Sequence, residues 1–155
     1  VITQNVDNLH QEAGSKNVVE FHGNSKNLIC IWCGRKYARD EVDPEIYPPI
    51  CECGKILKPT TVFFGEPIPV EASIKAQEEA QNCDVLLVVG TSAVVAPASY
   101  IPVTAKRFGA KIVEINIERT VLTDEITDIF LQGSSSVILP ELIRAVAKLR
   151  HQRDA

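Results

Sequence analysis

The sequence predicts an α/β fold: a parallel β-sheet with helices on both faces, and a small separate module inserted into it. Three observations carry this. Strand-like and helix-like segments alternate through most of the chain. Residues 84–89 hold the continuous apolar run Val85-Leu86-Leu87-Val88-Val89, and a strand without polar alternation is one buried on both faces, as in a parallel sheet. Between residues 28 and 58 the alternation gives way to a cysteine-bearing stretch in which Pro44, Pro48 and Pro49 break any long element.

Taken in order, residues 1–3 are short and β-branched and read as a strand end. Residues 7–13 can form one or two helical turns closed by Gly14. Residues 17–21 form a second short strand that delivers His22, and the module over 28–58 reads as irregular. Residues 60–64 are extended and end at Gly65-Glu66-Pro67. Residues 71–82 place Ala72, Ile74, Ala76 and Ala80 among charges, the pattern of a helix. The strand 84–89 stops at Gly90, a helix over 97–108 ends at Gly109, and 111–117 is a further apolar strand. Amphipathic helices follow at 122–131 and 141–150, with a short strand at 137–139 between them and a polar tail over 151–155. On this reading residues 1–27 and 59–155 build the sheet domain and 28–58 the inserted module. The chain contains no methionine and opens inside a strand, so an N-terminal portion is expected to precede Val1.

At 155 residues the chain has room for one ordinary domain, and a hydrophobic content of 45% suffices for a core. A net charge of −4 leaves no basic surplus for a phosphate backbone or an anionic membrane, so neither nucleic acid nor membrane is an expected partner. No apolar run reaches the length of a bilayer span, and the N-terminus lacks a signal-peptide pattern. Five cysteines, four of them in metal-ligand spacing, indicate a reducing compartment and a cytoplasmic protein. The fifth, Cys83, is expected to be buried as a small apolar residue.

The four cysteines are the strongest chemical signal. Cys30-x-x-Cys33 is followed, after seventeen residues, by Cys51-x-Cys53. Four thiolates at this spacing close a tetrahedral site around Zn²⁺ with no position open to water, so the metal is structural and the chemistry lies elsewhere. The second pair has one spacer where two are usual, and Gly54 behind it supplies the freedom that a tighter turn needs.

Two strand ends and one histidine are the other candidates. Ligands of open parallel sheets sit beyond the carboxyl ends of the strands. There Gly90 allows close backbone approach, Thr91 and Ser92 offer hydroxyls, and Asn116-Ile117-Glu118 offers an amide and a carboxylate suited to ribose. An ordinary βα turn with a hydroxyl cap would read the same way, and no Gly-x-Gly-x-x-Gly is present. His22 stands at a strand end before Gly23, where a histidine can exchange a proton at cellular pH. A lone histidine is more often structural, and His10 and His151 are weaker candidates still.

Together the residues resemble a family. Thr3-Gln4-Asn5-Val6-Asp7-Asn8-Leu9-His10, Phe21-His22-Gly23-Asn24, the four cysteines, Val62-Phe63-Phe64-Gly65-Glu66-Pro67-Ile68-Pro69, Gly90-Thr91-Ser92 and Asn116-Ile117-Glu118 follow one another in an order similar to that of the sirtuins (Sir2 family), NAD-dependent protein lysine deacylases. The segment Gly-Thr-Ser-Ala-Val-Val-Ala-Pro from Gly90 is most similar to prokaryotic members.

The resemblance implies a Rossmann-like domain and a zinc-bearing domain that bind NAD⁺ as a co-substrate. It assigns Gln4, Asn5, Val6 and Asp7 to the nicotinamide and ribose end. It assigns Gly90, Thr91, Ser92, Asn116, Ile117 and Glu118 to the phosphate and adenosine end, with Ser135 as a late contact near the adenine. It makes His22 the general base: the acyl-lysine oxygen attacks C1′, nicotinamide leaves, and His22 draws a proton from the ribose hydroxyls so that O-acyl-ADP-ribose forms. Val62, Phe63, Phe64, Gly65 and Glu66 would pair with an acyl-lysine protein or peptide by strand addition. The family's Gly-Ala-Gly-x-Ser phosphate loop is not in the sequence, so the chain alone is expected to be inactive and to leave apolar sheet surface exposed. NAD-dependent ADP-ribosyl transfer to protein uses the same site and is the alternative activity. A non-catalytic zinc-ribbon interaction module is the alternative outside enzymes.

Overall fold

The most completely buried strand, Lys111–Asn116, carries Ile112, Val113, Glu114 and Ile115 in succession, all buried, so both of its faces are covered. It lies in the middle of a three-stranded parallel sheet, between Val85–Val89 and Ile129–Gln132. The computed structural model that shows this describes residues 1–153. In chain order the elements are β1 (Ile2–Thr3), α1 (Leu9–Glu12), β2 (Val19–Glu20), β3 (Asn27–Cys30), β4 (Lys36–Ala38), a 3₁₀ turn (Arg39–Glu41), β5 (Leu57–Pro59) and α2 (Val70–Asn82). Then come β6 (Val85–Val89), α3 (Tyr100–Arg107), β7 (Lys111–Asn116), α4 (Val121–Glu125), β8 (Ile129–Gln132) and α5 (Ser135–Arg153). The chain divides into two compact units, Val1–Ala76 and the remainder from Gln77.

In the C-terminal unit the order is β6-β7-β8, with Val85 opposite Lys111 and Val113 opposite Ile129. Helices α3 and α5 pack on β7. Strand β6 departs from the expectation of two buried faces. Among the described residues it pairs only with β7, and although α3 packs against it, Val85, Leu87 and Val89 remain exposed.

Two predicted elements are corrected here. The helix expected over 122–131 stops after Glu125, and Ile129–Gln132 forms strand β8 instead. Asp128 holds the Ile112 N–H at 2.9 Å, which seats the following residues beside β7, and pairing outweighs the local period. The strand expected at 137–139 is part of α5, because Val137 and Ile138 N–H groups both reach the Ser134 carbonyl at 3.0 Å and start a helix there. A three-residue apolar run has no period with which to declare its type. Cys83 is half-buried rather than buried, with its Sγ 3.5 Å from the Ala80 carbonyl.

In the N-terminal unit, β1 and β2 form a parallel pair with Ile2 opposite Val19 and Thr3 opposite Glu20. The stretch expected to be irregular contains an antiparallel sheet of order β4-β3-β5. Strand β3 alternates, turning Leu28 and Cys30 inward, and these join Cys51 and Leu57 in a cluster flanked by Tyr37 and Val42. The extended segment expected at 60–64 is shifted: the strand is β5, and a turn follows in which Glu66 N–H donates to the Phe63 carbonyl at 2.9 Å, with Gly65 at φ +85°. Among the described residues no helix is long and apolar enough to cross a membrane.

Candidate functional site

In the N-terminal unit the two polar motifs that follow β1 and β2 are laced together. The Phe21 N–H donates to the Thr3 carbonyl at 2.9 Å, so the parallel pairing carries on to the foot of His22. Phe21 is buried and meets the imidazole edge-on, with ring centroids 5.6 Å apart. His22 Nδ1 lies 3.2 Å from the Gln4 carbonyl oxygen. That oxygen can only accept, so the contact places the proton on Nδ1 and leaves Nε2 as the basic nitrogen.

One step further along, Ser25 gives both its N–H (2.9 Å) and its hydroxyl (2.7 Å) to the Val6 carbonyl. Asn24, 4% exposed, donates to Asn8 Oδ1 at 2.9 Å and to the Glu20 carboxylate, and accepts from the Lys26 N–H at 2.8 Å. Asn8 sits in the left-handed region at φ +68°, a conformation that Asn tolerates. Gln4, Asn5 and Asp7 are exposed. The Asn5 N–H is held by Thr3 Oγ1 at 3.1 Å, and the Asp7 carboxylate turns the chain into α1 by accepting from the Leu9 N–H at 3.0 Å. His22 is thus held against Gln4, and Val6 against Ser25. Asn8, Asn24 and Glu20, which fix that arrangement, have no role assigned from the sequence, although Asn8 and Asn24 stand within the quoted motifs.

The four cysteine sulfurs all lie within 4.8 Å of one another, with Cys30–Cys53 and Cys33–Cys51 each at 3.6 Å. Zinc–sulfur bonds of about 2.3 Å in a tetrahedron separate sulfurs by roughly 3.8 Å, so the donor set fits a structural zinc ion. The knuckles differ by one residue as their spacing implies. In the first, Gly34 N–H returns to the Cys30 carbonyl at 2.9 Å; in the second, Gly54 N–H returns to the Cys51 carbonyl at 2.7 Å. Each glycine is left-handed, at φ +73° and +80°. The Arg35–Glu52 ion pair ties one knuckle to the other. The Tyr37 hydroxyl, 3.2 Å from Cys51 Sγ, is the main cause that holds that thiol down to about 6. The Cys51 sulfur in turn pushes its neighbour Cys53 up to about 12. One sulfur ionises at another's expense, and a divalent cation is what lets all four ionise together.

In the C-terminal unit a cavity of about 610 Å³ opens beyond the ends of β6 and β7. Gly90, Thr91, Ser92, Asn116, Ile117 and Glu118 all line it. Asn116 closes it from behind, its Nδ2 donating to the Thr91 carbonyl at 3.0 Å, while Gly90 N–H donates to the Ile115 carbonyl at 3.0 Å. Ser135 is the first residue of α5 and is not in the wall. The wall also holds Val94, Arg119, Thr120, Val121 and Asp124. The threonine that opens α4 is a cap signal that could have pointed to this turn. A second cavity, about 550 Å³ in the N-terminal unit and lined in part by Glu20, Asn24, Lys36 and Lys75, contains none of the predicted site residues.

Val62 to Glu66 form a loop that is exposed from Phe63 onward. The Val62 N–H is taken by the His22 carbonyl at 2.9 Å and the Phe63 N–H by the Glu66 carboxylate at 3.0 Å. Lys58 steadies it, 2.8 Å from Glu66 and over the Phe63 ring, and holds the Glu66 carboxyl below the usual range. Phe64 is 98% exposed.

Residues 1–97 match the model of the Sir2 family. The chain belongs to the Sir2 family. The sirtuin chain is 51% identical to the NAD-dependent protein deacylase 2 of Pyrobaculum aerophilum, over 100% of this chain and 62% of the relative. It is 44% identical to the NAD-dependent protein deacylase of Thermococcus kodakarensis, over 99% and 62%. Among solved structures, a Sir2 homolog–NAD complex superposes with TM-score 0.89 at 43% identity, covering 96% of this chain and 58% of the other. A Sir2–p53 peptide–NAD⁺ structure superposes at 0.87 with 33% identity, over 94% and 62%. The sirtuin chain therefore spans about 62% of the length of the curated relatives that it matches. A match over residues 1–97 reaches far beyond the cysteine module and sets aside a stand-alone zinc ribbon.

Proposed function

We propose that this chain supplies the catalytic base and a cofactor cavity for NAD-dependent protein lysine deacylation, in which the acyl group of a modified lysine passes to ADP-ribose with release of nicotinamide. The reading rests on one observation above the others: His22 Nδ1 is engaged by the Gln4 carbonyl at 3.2 Å, which leaves Nε2 to act as a base. NAD⁺, when bound, supplies a glycosidic bond whose cleavage expels nicotinamide.

The remaining roles belong to side chains of this sequence. Gln4, Asn5, Val6 and Asp7 hold the nicotinamide and ribose end, and His22 takes the proton of a ribose hydroxyl. Gly90, Thr91, Ser92, Asn116, Ile117 and Glu118 hold the phosphate and adenosine end; Ser135 is a contact near the adenine. Phe63 and Phe64 offer exposed apolar surface to an acyl-lysine peptide that runs along Val62 to Glu66. Cys30, Cys33, Cys51 and Cys53 keep a zinc ion that maintains the module of residues 28–58. Residues 1–27 and 59–155 are the Rossmann-like part. Thiolate ligands suit a reducing compartment, and we place the protein in the cytoplasm.

The test is incubation of the complete enzyme with NAD⁺ labelled in its adenylate and an acetyl-lysine peptide. Free O-acetyl-ADP-ribose is the expected product, whereas label retained on protein would indicate ADP-ribosyl transfer instead.

A further inference from the structure

Glu114 stands on the middle strand β7, 1% exposed, between the buried residues Val113 and Ile115. Its carboxyl oxygens accept three hydroxyl hydrogen bonds: from Thr120 at 2.6 Å, from Thr123 at 2.7 Å and from Thr127 at 2.9 Å. The proposed chemistry makes no use of it. An apolar residue would cost less to bury at such a position, so the carboxyl must contribute something that packing does not.

The three threonines show what that is. Thr120 caps α4, its Oγ1 accepting from the Leu122 N–H at 3.1 Å. Thr123 Oγ1 accepts from the Thr120 N–H at 2.9 Å. Thr127 lies just past the end of the helix. One carboxyl group therefore grips both ends of α4, a helix of 5 residues that is too short to hold its own shape in water. The same turn is one wall of the cavity, through Ile117, Glu118, Arg119, Thr120, Val121 and Asp124.

We infer that Glu114 is a positioning residue for the cofactor cavity: through Thr120, Thr123 and Thr127 it holds the β7–α4 turn in the shape that receives the adenosine half of a dinucleotide. The inference rests on the dinucleotide reading given above. A wall fixed before binding spares the ligand the cost of ordering it. Glu114 has no part in the proposed proton transfer, so its loss should raise KM for NAD⁺ and leave kcat in place.

The experiment measures ADP-ribose affinity by calorimetry, KM and kcat for NAD⁺, and the thermal midpoint, all on the complete enzyme. Glu114→Leu should bind ADP-ribose about tenfold more weakly, with kcat within about twofold of wild type. Glu114→Gln should restore affinity to within about twofold, because the hydroxyls can turn to accept from the amide. Thr127→Val, which removes one donor outside the cavity wall, should weaken binding about threefold and reports even if Glu114→Leu does not fold. Variants that melt earlier but keep wild-type affinity and KM would reduce Glu114 to a structural residue and overturn this inference alone. A wild-type protein that does not bind ADP-ribose would overturn the dinucleotide reading and this inference with it.

Discussion

A Cβ placed on Gly23 would lie 2.1 Å from the carbonyl oxygen of Thr60. Gly23 is also left-handed, at φ +73°, and joins His22 to Asn24. The close approach is what lets Thr60 Oγ1 reach the Asn24 carbonyl at 2.8 Å. Gly23→Ala should therefore cost more than the roughly 1–2 kcal/mol of left-handed strain alone. Gly14, at φ +91° with nothing within 4 Å of its would-be Cβ, supplies the comparison. Urea unfolding of the two alanine variants should find Gly23→Ala clearly the less stable, and equal losses would show that Thr60 gives way freely.

Metal removal should unfold the cysteine module rather than loosen it. Its core is four buried residues, Leu28, Cys30, Cys51 and Leu57. Structural zinc contributes on the order of 10–16 kcal/mol in small modules, as much as the whole stability of an ordinary domain. Treatment with a strong chelator, or Cys33→Ala, should abolish the circular-dichroism signature of the β4-β3-β5 sheet together with one equivalent of bound zinc. A metal-free protein with an unchanged spectrum would contradict the structural role.

Asp128 sets an acid limit on the C-terminal unit. Its carboxylate meets Lys106 at 2.6 Å, the Ile112 N–H at 2.9 Å and Lys111 at 3.1 Å, and the Lys106 hydrogen bond is the largest of the causes that hold it well below the usual carboxylate range. A folded-state value below the unfolded value of about 3.9 gives stability that is complete above the unfolded value and is lost as pH falls through the folded one. Asp128→Asn should lower the thermal midpoint at pH 7, and the gap to wild type should narrow below about pH 4. A gap that stays constant with pH would mean that the charge of Asp128 contributes nothing.

Much of the fold and the site is legible in the sequence, and particular residues show where legibility ends. Val85-Leu86-Leu87-Val88-Val89 announces its strand, and the cysteine spacing announces both the metal and the difference between the knuckles. The six residues read at the two strand ends all line one cavity. What local pattern could not supply was partner information. Ile129 and Phe130 become strand because β7 lies beside them, and Val137 to Leu139 become helix because Ser134 starts one. Asn24 and Glu114 are invisible as network centres until their partners, 16 and 6 to 13 positions away, are brought near. The exposed row Val85, Leu87 and Val89 shares one face of β6 that is left uncovered among the described residues, which no window of sequence reports.

The central claim is that the imidazole of His22, turned by the Gln4 carbonyl, is the proton acceptor of an NAD-dependent deacylation. The most direct test compares wild type with His22→Ala in the complete enzyme, measuring O-acetyl-ADP-ribose formation and, separately, ADP-ribose affinity. A positioned base contributes about 10²–10⁴-fold, so product formation should fall by that factor while affinity stays within about threefold. A variant that forms product at near the wild-type rate would contradict the account.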